Sequence, residues 1–297
     1  MNDTAAETQT VNSAAADDEE WDLIIRPKIG WFDFRLRELW RYRDLIFLFV
    51  KRDFVSVYKQ TILGPLWFLL QPLMTTLIFT IIFGRVAKLP TDGVPPMLFY
   101  MSGVTAWSYF AACLNKTSST FVGNAGIFGK VYFPRLAIPV SVVISNLIAF
   151  GIQFLLFLGF VLWFVLDQDA KIQPNGWLLA TPLLIIQMAI LGLGFGIIVS
   201  SLTTKYRDLT QLVGFGVQLW MYLTPIVYPI SQLSGKWQTL MAFNPMSAVV
   251  ESFRFAFLGA GGVQLSHLAI SWTMTVIVFG IGLMLFTRVE KDFMDTV

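Results

Sequence analysis

Residues able to do chemistry are few in this chain, and the first candidates are glycine-rich. The run GNAGIFGKV (residues 123–131) sets Gly123, Gly129 and Lys130 roughly where a phosphate loop would cradle an anion with backbone N–H groups and a lysine. The pattern GxxxxGK[ST] that performs this chemistry also needs a hydroxyl for magnesium. Here five residues separate the glycines and Val131 follows the lysine, so the run is not a nucleotide site. Gly192, Gly194 and Gly196 alternate inside an apolar stretch with no strand pattern before it, which removes a dinucleotide loop as well. A single cysteine, Cys113, and a single histidine, His267, exclude an internal disulfide and argue against a His/Cys metal centre. Glu251 and Arg254 stand at helical i,i+3 spacing and read as a structural pair rather than an ion site. No cofactor is expected in the chain.

The remaining polar groups are amides set in apolar runs: Gln71, Asn146, Gln153, Gln187, Gln211 and Gln218, beside Trp67, Trp107, Tyr109, Trp220 and Tyr222. Amides that donate and accept, next to flat aromatic faces, suit a hydroxyl-rich sugar chain better than an ion. Amides also tie membrane helices together, and Trp and Tyr also mark the membrane interface, so both readings stand. The path candidates are Trp67, Gln71, Trp107, Tyr109, Gln218 and Tyr222.

The elements that must carry these residues follow from composition. With 56% hydrophobic and 13% charged residues and a mean hydropathy of +0.66, the chain is an all-α integral membrane protein. Charge-free runs at residues 63–83, 97–114, 138–166, 177–202, 212–230 and 268–286 give six spans. Pro65 suits an opening turn, and Pro72 inside the first span is expected to kink it. Gly192, Gly196 and Ser200 share one stripe suited to close helix packing, as do Gly280 and Met284 less regularly. Residues 231–265 hold apolar pieces too short to span, split at Asn244-Pro245. A re-entrant helical hairpin on the outer side fits, and a surface loop with an amphipathic helix is the alternative.

Orientation follows from Lys and Arg. With both termini inside, sixteen of the 21 basic residues fall on the cytoplasmic side, nine of them before the first span. The first 22 residues carry seven acids and no Lys or Arg, which reads as a disordered acidic tail. The tail lacks the basic start and apolar centre of a signal peptide. Residues 31–60 then turn aromatic and basic: Phe32, Leu36, Leu39 and Trp40, and then Phe47, Val50, Phe54 and Val57, recur at helical spacing, with Arg35, Arg37, Arg41, Lys51, Arg52 and Lys59 elsewhere. Two interfacial pieces are expected there, with a bend at Arg43 and Asp44. Residues 288–297 form a cytoplasmic tail.

The same orientation puts NAGIFGKVYFPRLAIP (residues 124–139) in the cytoplasm. Its Phe128, Tyr132 and Phe133 beside Lys130 and Arg135 fit either a partner's cleft or an interfacial turn with aromatic anchors. The spans contain no Asp, Glu, Lys or Arg, so a proton relay is missing, and energy for transport would enter through a partner.

Four stretches in order, YKQTILGPLWFLLQPL (residues 58–73), NAGIFGKVYFPRLAIP, TKYRDL (residues 204–209) and NPMSAVVESFRFAFLG (residues 244–259), resemble the membrane subunits of ABC exporters for bacterial polysaccharides, the type-2 permeases for O-antigens, teichoic acids and capsules. The similarity begins near Trp31 and leaves the acidic tail outside. It implies a homodimer enclosing a channel and driven by two copies of a separate ATPase, which holds the ATP and magnesium. The implied coupling set is Asn124, Phe128, Lys130, Tyr132, Phe133, Pro134 and Arg135. Residues Arg37, Trp40, Arg41, Lys51 and Arg52 belong to the interface helix near that ATPase. An outer gate near residues 237–258 draws on Tyr228, Asn244, Pro245, Glu251 and Arg254. The implied cargo is an undecaprenyl diphosphate-linked polysaccharide, O-antigen foremost, moved across the inner membrane among its lipids, with no nucleic acid and no catalysis. Another glycan or a lipid is the alternative cargo. A transferase or a membrane scaffold is the alternative class.

Overall fold

The computed structural model describes residues 36–59, 63–128, 131, 133–166, 172–204, 206 and 208–296. The acidic tail, Phe32, Arg35, Lys130 and Tyr132 lie outside the described residues, and Arg37 and Val57 are described by backbone alone. All regular elements among the described residues are helical.

Helix α1 (Leu36–Arg41) and α2 (Arg43–Lys59) are separated at Tyr42, one residue before the expected bend. Ile46, Phe49 and Val50 are buried, whereas Phe47 is 62% exposed. The expected stripe is therefore rotated. α2 has apolar residues on two faces, and the face that meets protein is centred on Phe49, leaving Phe47, Leu48 and Trp40 outward.

The first long helix starts as a 3-10 turn at Gly64–Leu66, continues as α3 (Trp67–Phe79) and widens into a π turn at Thr80–Val86. It runs on through Pro72, the missing N–H being tolerated where other groups satisfy the freed carbonyl. Helix α4 (Pro96–Ser118) follows. Pro95 is extended, as the residue before a proline must be, and Pro96 occupies the first turn, where no N–H partner is lost. Two single turns, α5 (Thr120–Gly123) and α6 (Ala125–Phe128), lead to α7 (Ala137–Leu166). Then come α8 (Thr181–Thr203), α9 (Leu209–Leu223), α10 (Gly235–Ala242), α11 (Pro245–Leu258) and α12 (Leu265–Thr296).

Among the described residues, five helices are long and apolar enough to cross a membrane: Gly64–Val86, Pro96–Ser118, Ala137–Leu166, Gly176–Thr203 and Leu265–Val289. The expected sixth run, 212–230, instead gives the 15-residue α9 and a non-helical stretch at residues 224–229. The cause is local. Thr224 precedes Pro225, which pushes it to an extended conformation (φ −92°, ψ 143°) and stops the helix.

Helix α4 is the hub, packing against α3, α7, α8, α9 and α11. Gly192 and Gly196 of α8 face it so closely that a Cβ on Gly192 would meet Cys113 Cβ at 2.7 Å, and one on Gly196 would collide with Thr117. The small-residue stripe is thus a packing seam. On α12 the close approach belongs to Gly282, whose added Cβ would lie 2.8 Å from the Gly194 carbonyl. Gly280 faces open space and Met284 is exposed, so the expected pair is not the seam.

Lys116, expected in a connection, lies in the last turn of α4 and donates to Asn146 Oδ1 of α7 at 2.9 Å. Gln187 donates to Ser271 Oγ at 2.6 Å, joining α8 to α12. These two amides tie helices together.

Alternate connections meet at opposite ends. Residues 92, 173 and 175 bond to the α9–α12 region, through Ser231 Oγ to Asp92 Oδ1 at 2.9 Å and Gln173 N to Leu258 O at 3.3 Å. This is the hairpin end. Phe121, Phe128, Phe133 and Ala137 pack with Phe49, Ile197 and Phe286 at the other, the loop end.

Replacing Gly196 with Val should cost about 1–3 kcal/mol through overpacking, whereas Gly280→Ala should leave stability unchanged or slightly raised. Cys113 is the sole cysteine and is buried, so its maleimide reactivity during thermal unfolding in detergent reads both outcomes directly.

Candidate functional site

At the loop end, apolar ring after apolar ring interlocks. Phe121 is fully buried and stacks on Phe286 of α12 at 4.7 Å. Phe128 lies 5.8 Å from Phe121 and 5.8 Å from Phe133, and Phe133 in turn meets Phe49 of α2 at 5.8 Å. Two cations cap the knot, Arg135 at 5.4 Å over Phe128 and Arg52 at 4.9 Å over Phe49. Both contacts fall within cation–π range. The amide of Asn124 donates to the Thr120 carbonyl at 3.0 Å, holding the turn between α5 and α6.

Phe128, Phe133 and Arg135 are buried inside the chain. Aromatic rings spaced along a short loop bury more area by meeting the ends of α2 and α12 than by facing water. What the loop does present is Val122, Gly126 and Val131, all exposed, with Asn124 and Pro134 partly buried. Outside the knot, Trp40, Arg41, Lys51 and Arg52 are exposed along α1 and α2, with Arg43 6.0 Å over the Trp40 ring and Arg52 paired with Asp53 at 2.8 Å.

The hairpin end is organised by Asn244 and Arg254. Asn244 is the N-cap of α11: its Oδ1 accepts from Met246 N at 3.1 Å while Pro245 takes the first turn. The same oxygen accepts from Trp220 Nε1 at 3.1 Å, and Nδ2 donates to Thr224 Oγ1 at 3.0 Å. One side chain thus joins the end of α9 to the start of α11. Arg254 is 2% exposed. Its guanidinium lies 3.6 Å over the Phe99 ring and donates to the carbonyls of Pro225 and Ile226 at 3.0 and 3.3 Å. Gly103 of α4 lets this stretch pass, since a Cβ there would sit 2.9 Å from Ile226 Cγ2.

The expected Glu251–Arg254 pair does not form within ion-pair distance, because Arg254 turns to the carbonyls that the end of α9 leaves bare. Glu251 instead lines a hollow. Burial pushes its carboxyl up to about 7, opposed by Arg254 and reinforced by Asp92. Tyr228 donates to the Leu223 carbonyl at 3.4 Å.

The path candidates divide. Trp107 and Tyr109 are core side chains; Trp107 packs edge-on to Phe110 and Trp220 at 5.2 and 6.0 Å. Trp67, Gln71, Gln218 and Tyr222 are exposed, the first two at the start of the first long helix and the others on α9. No group of three or more His, Cys, Asp or Glu among the described residues could hold a metal.

A profile of ABC-2 type transporters matches residues 44–258. The chain belongs to that family. It is similar to the O-antigen export system permease protein RfbA of Klebsiella pneumoniae, 28% identical over 252 residues covering 85% of this chain and 94% of that one. The RfbA protein of Myxococcus xanthus is 27% identical over 225 residues, covering 75% and 83%. The polysialic acid transport protein KpsM of Escherichia coli is 24% identical over 244 residues, covering 81% and 91%. As an ABC-2 permease, the chain is a non-catalytic, multi-pass membrane subunit, and ATP hydrolysis occurs in a separate ATPase.

Sequence reasoning on this permease singled out Asn244 and Arg254 but missed their partners. Thr224-Pro225 carries a readable helix stop. Phe99, Gly103 and Trp220 carry no such signal, because their roles arise only where α4 crosses the end of α9.

Substituting Arg254 by Ala removes the donor to two buried carbonyls, each worth about 1–3 kcal/mol when left bare; Lys, a point charge without the planar fork, should restore little of this. Chemical unfolding of the purified permease measures both. For Glu251 the raised folded-state value means the native state holds the proton longer than the unfolded chain, so stability present below the unfolded value is lost as pH rises through about 7. Glu251→Gln should therefore raise the melting temperature at pH 8 and leave it nearly unchanged at pH 4, as thermal scans at the two pH values will register.

Proposed function

We propose that two copies of this permease form the membrane path of an ATP-driven exporter that carries a lipid-linked polysaccharide, O-antigen foremost, from the cytoplasm to the periplasm. The observation that carries the reading is the set of relatives named as O-antigen export permeases, which align over most of their own length. In this reading α9 and the stretch after it make the sixth crossing. The helices α10 and α11 form a re-entrant hairpin that gates the outer side. The loop end faces the cytoplasm with both termini, in a bacterial inner membrane.

The chemistry agrees with a passive conduit for a hydroxyl-rich chain. Gln71 on α3 and Gln218 on α9 are exposed on helices of otherwise apolar character, where an unpaired amide facing lipid would be costly. Between two copies, those amides with Trp67 and Tyr222 supply donors, acceptors and flat faces to sugars.

Force enters at α5 and α6. Because Phe128, Phe133 and Arg135 lock the loop onto α2 and α12, an ATPase pressing on Val122, Gly126 and Val131 moves the knot as a unit. Lys130 and Tyr132 remain proposed contacts of that ATPase. The motion reaches the hairpin through α4 and α8, which run between the two ends.

The Escherichia coli relative named for polysialic acid transport keeps a second cargo, a capsular glycan, in view. Deleting the gene should abolish surface polysaccharide and trap lipid-linked chains inside the cell, as read on a polysaccharide ladder. An unchanged ladder overturns the reading. Val131→Asp, on the exposed part of the loop, should separate the purified permease from its ATPase and cut export at least about tenfold without lowering the melting temperature. Phe121→Ala should instead destabilise the fold by about 3–5 kcal/mol. Export that survives Val131→Asp in full would place the ATPase contact elsewhere.

A further inference from the structure

A hollow of about 790 Å³ opens at the hairpin end, between the Asp92 turn, α10, α11 and the stretch leading into α12. Its size falls within the range of about 300–1,000 Å³ typical of small-ligand sites. Its polar lining includes Asp92, Gln238, Glu251, Gln264, Ser266 and His267, with no Lys or Arg among the described residues that line it. Such a wall accepts hydrogen bonds from hydroxyl or ammonium groups and repels carboxylates and phosphates.

Two details show that the lining is pre-arranged. Ser231 Oγ donates to Asp92 Oδ1 at 2.9 Å, fastening the turn to the hairpin, and Asp92 itself sits at φ +50° ahead of Gly93. Gln238 spends its Nε2 on the Leu233 carbonyl at 3.0 Å, which leaves its carbonyl oxygen as an acceptor.

Glu251 contributes an unpaired acceptor to the same wall. Its carboxyl is half-buried and makes no hydrogen bond or ion pair among the described residues, since Arg254, three residues on, is turned to the Pro225 and Ile226 carbonyls. A carboxyl in that position is short of donors. Phe243, largely exposed, and Ile270 add apolar surface for a sugar's C–H face. Gly261 and Gly262 have open space beside them, so a ligand can approach the backbone closely.

The geometry points to an exit-side saccharide subsite that takes a neutral or amino sugar unit of the exported chain and excludes sugars bearing carboxylates. It rests on the export reading above and narrows the cargo to polymers that are not polyanionic.

The test uses the full-length permease in lipid nanodiscs at pH 8, above the point to which burial raises Glu251, so that the Glu251 carboxyl is charged. The probes are a neutral hexose trisaccharide, a glucosamine trisaccharide and a galacturonic acid trisaccharide, titrated by calorimetry. The first two should bind, and the uronic acid at least about tenfold more weakly. Glu251→Gln should bring the uronic acid to within about threefold of the neutral probe. Gln264→Ala should weaken all binding about tenfold, the loss expected when a partner of a ligand hydroxyl is removed. Protection of Cys113 from maleimide establishes that both variants are folded.

Absence of binding by every probe overturns the subsite, as does equal affinity for the uronic acid, identical binding in both variants, or displacement of the sugars by calcium alone. If the wild-type chain still exports its polymer when no probe binds, the subsite fails and the export reading stands. If it exports no polysaccharide at all, the export reading itself fails.

Discussion

A guanidinium cut off from water has to find acceptors within its own protein, and in this chain Arg254 finds them on the stretch where α9 stops. Wherever a chain leaves helical geometry away from water, its carbonyls lose their internal donors, and each must be answered by a side chain. Thr224-Pro225 forces such a break. Arg254 answers the carbonyls of Pro225 and Ile226, and Asn244 holds Thr224 while capping α11. Phe99 and Gly103 complete the arrangement from α4, one by receiving the guanidinium on its face and the other by giving the chain room. The break in α9, the hairpin and the hub helix therefore form one interdependent unit.

The loop end obeys a different constraint. Its cohesion is apolar, a series of rings from Phe49 of α2 through Phe133, Phe128 of α6 and Phe121 of α5 to Phe286 of α12, with cations laid over Phe49 and Phe128. A loop gripped in this way cannot shift without its neighbours, since packed interiors move between discrete arrangements and do not deform continuously. Two ends held by different interactions, hydrogen-bonded carbonyls at one and interlocked aromatics at the other, can respond separately while α4 and α8 link them. That is a suitable construction for a permease whose work is supplied by a separate ATPase.

Uncharged amides perform two distinct duties here. Asn146 and Gln187 spend their hydrogen bonds inside the bundle, on Lys116 and Ser271, and act as joints between helices. Gln71 and Gln218 stay on exposed faces. The type of residue is the same in both cases, and the surroundings decide which duty it takes.

Features that depend on local or summed properties were legible in the chain itself. Hydropathy specified an all-helical membrane chain, the four-residue spacing of Gly192, Gly196 and Ser200 specified a packing seam, and Asn244-Pro245 specified a helix start. These follow from side-chain chemistry and helical period alone. Contacts in the folded chain settle that α2 turns Phe49 rather than Phe47 inward, that Phe128 and Phe133 are buried, and that Arg254 bypasses Glu251 for two carbonyls. They also settle that Trp107 and Tyr109 belong to the core. Each of these depends on which of several equally apolar or equally charged faces meets another element, and that choice is made by contacts between residues far apart in the chain, which periodicity does not encode.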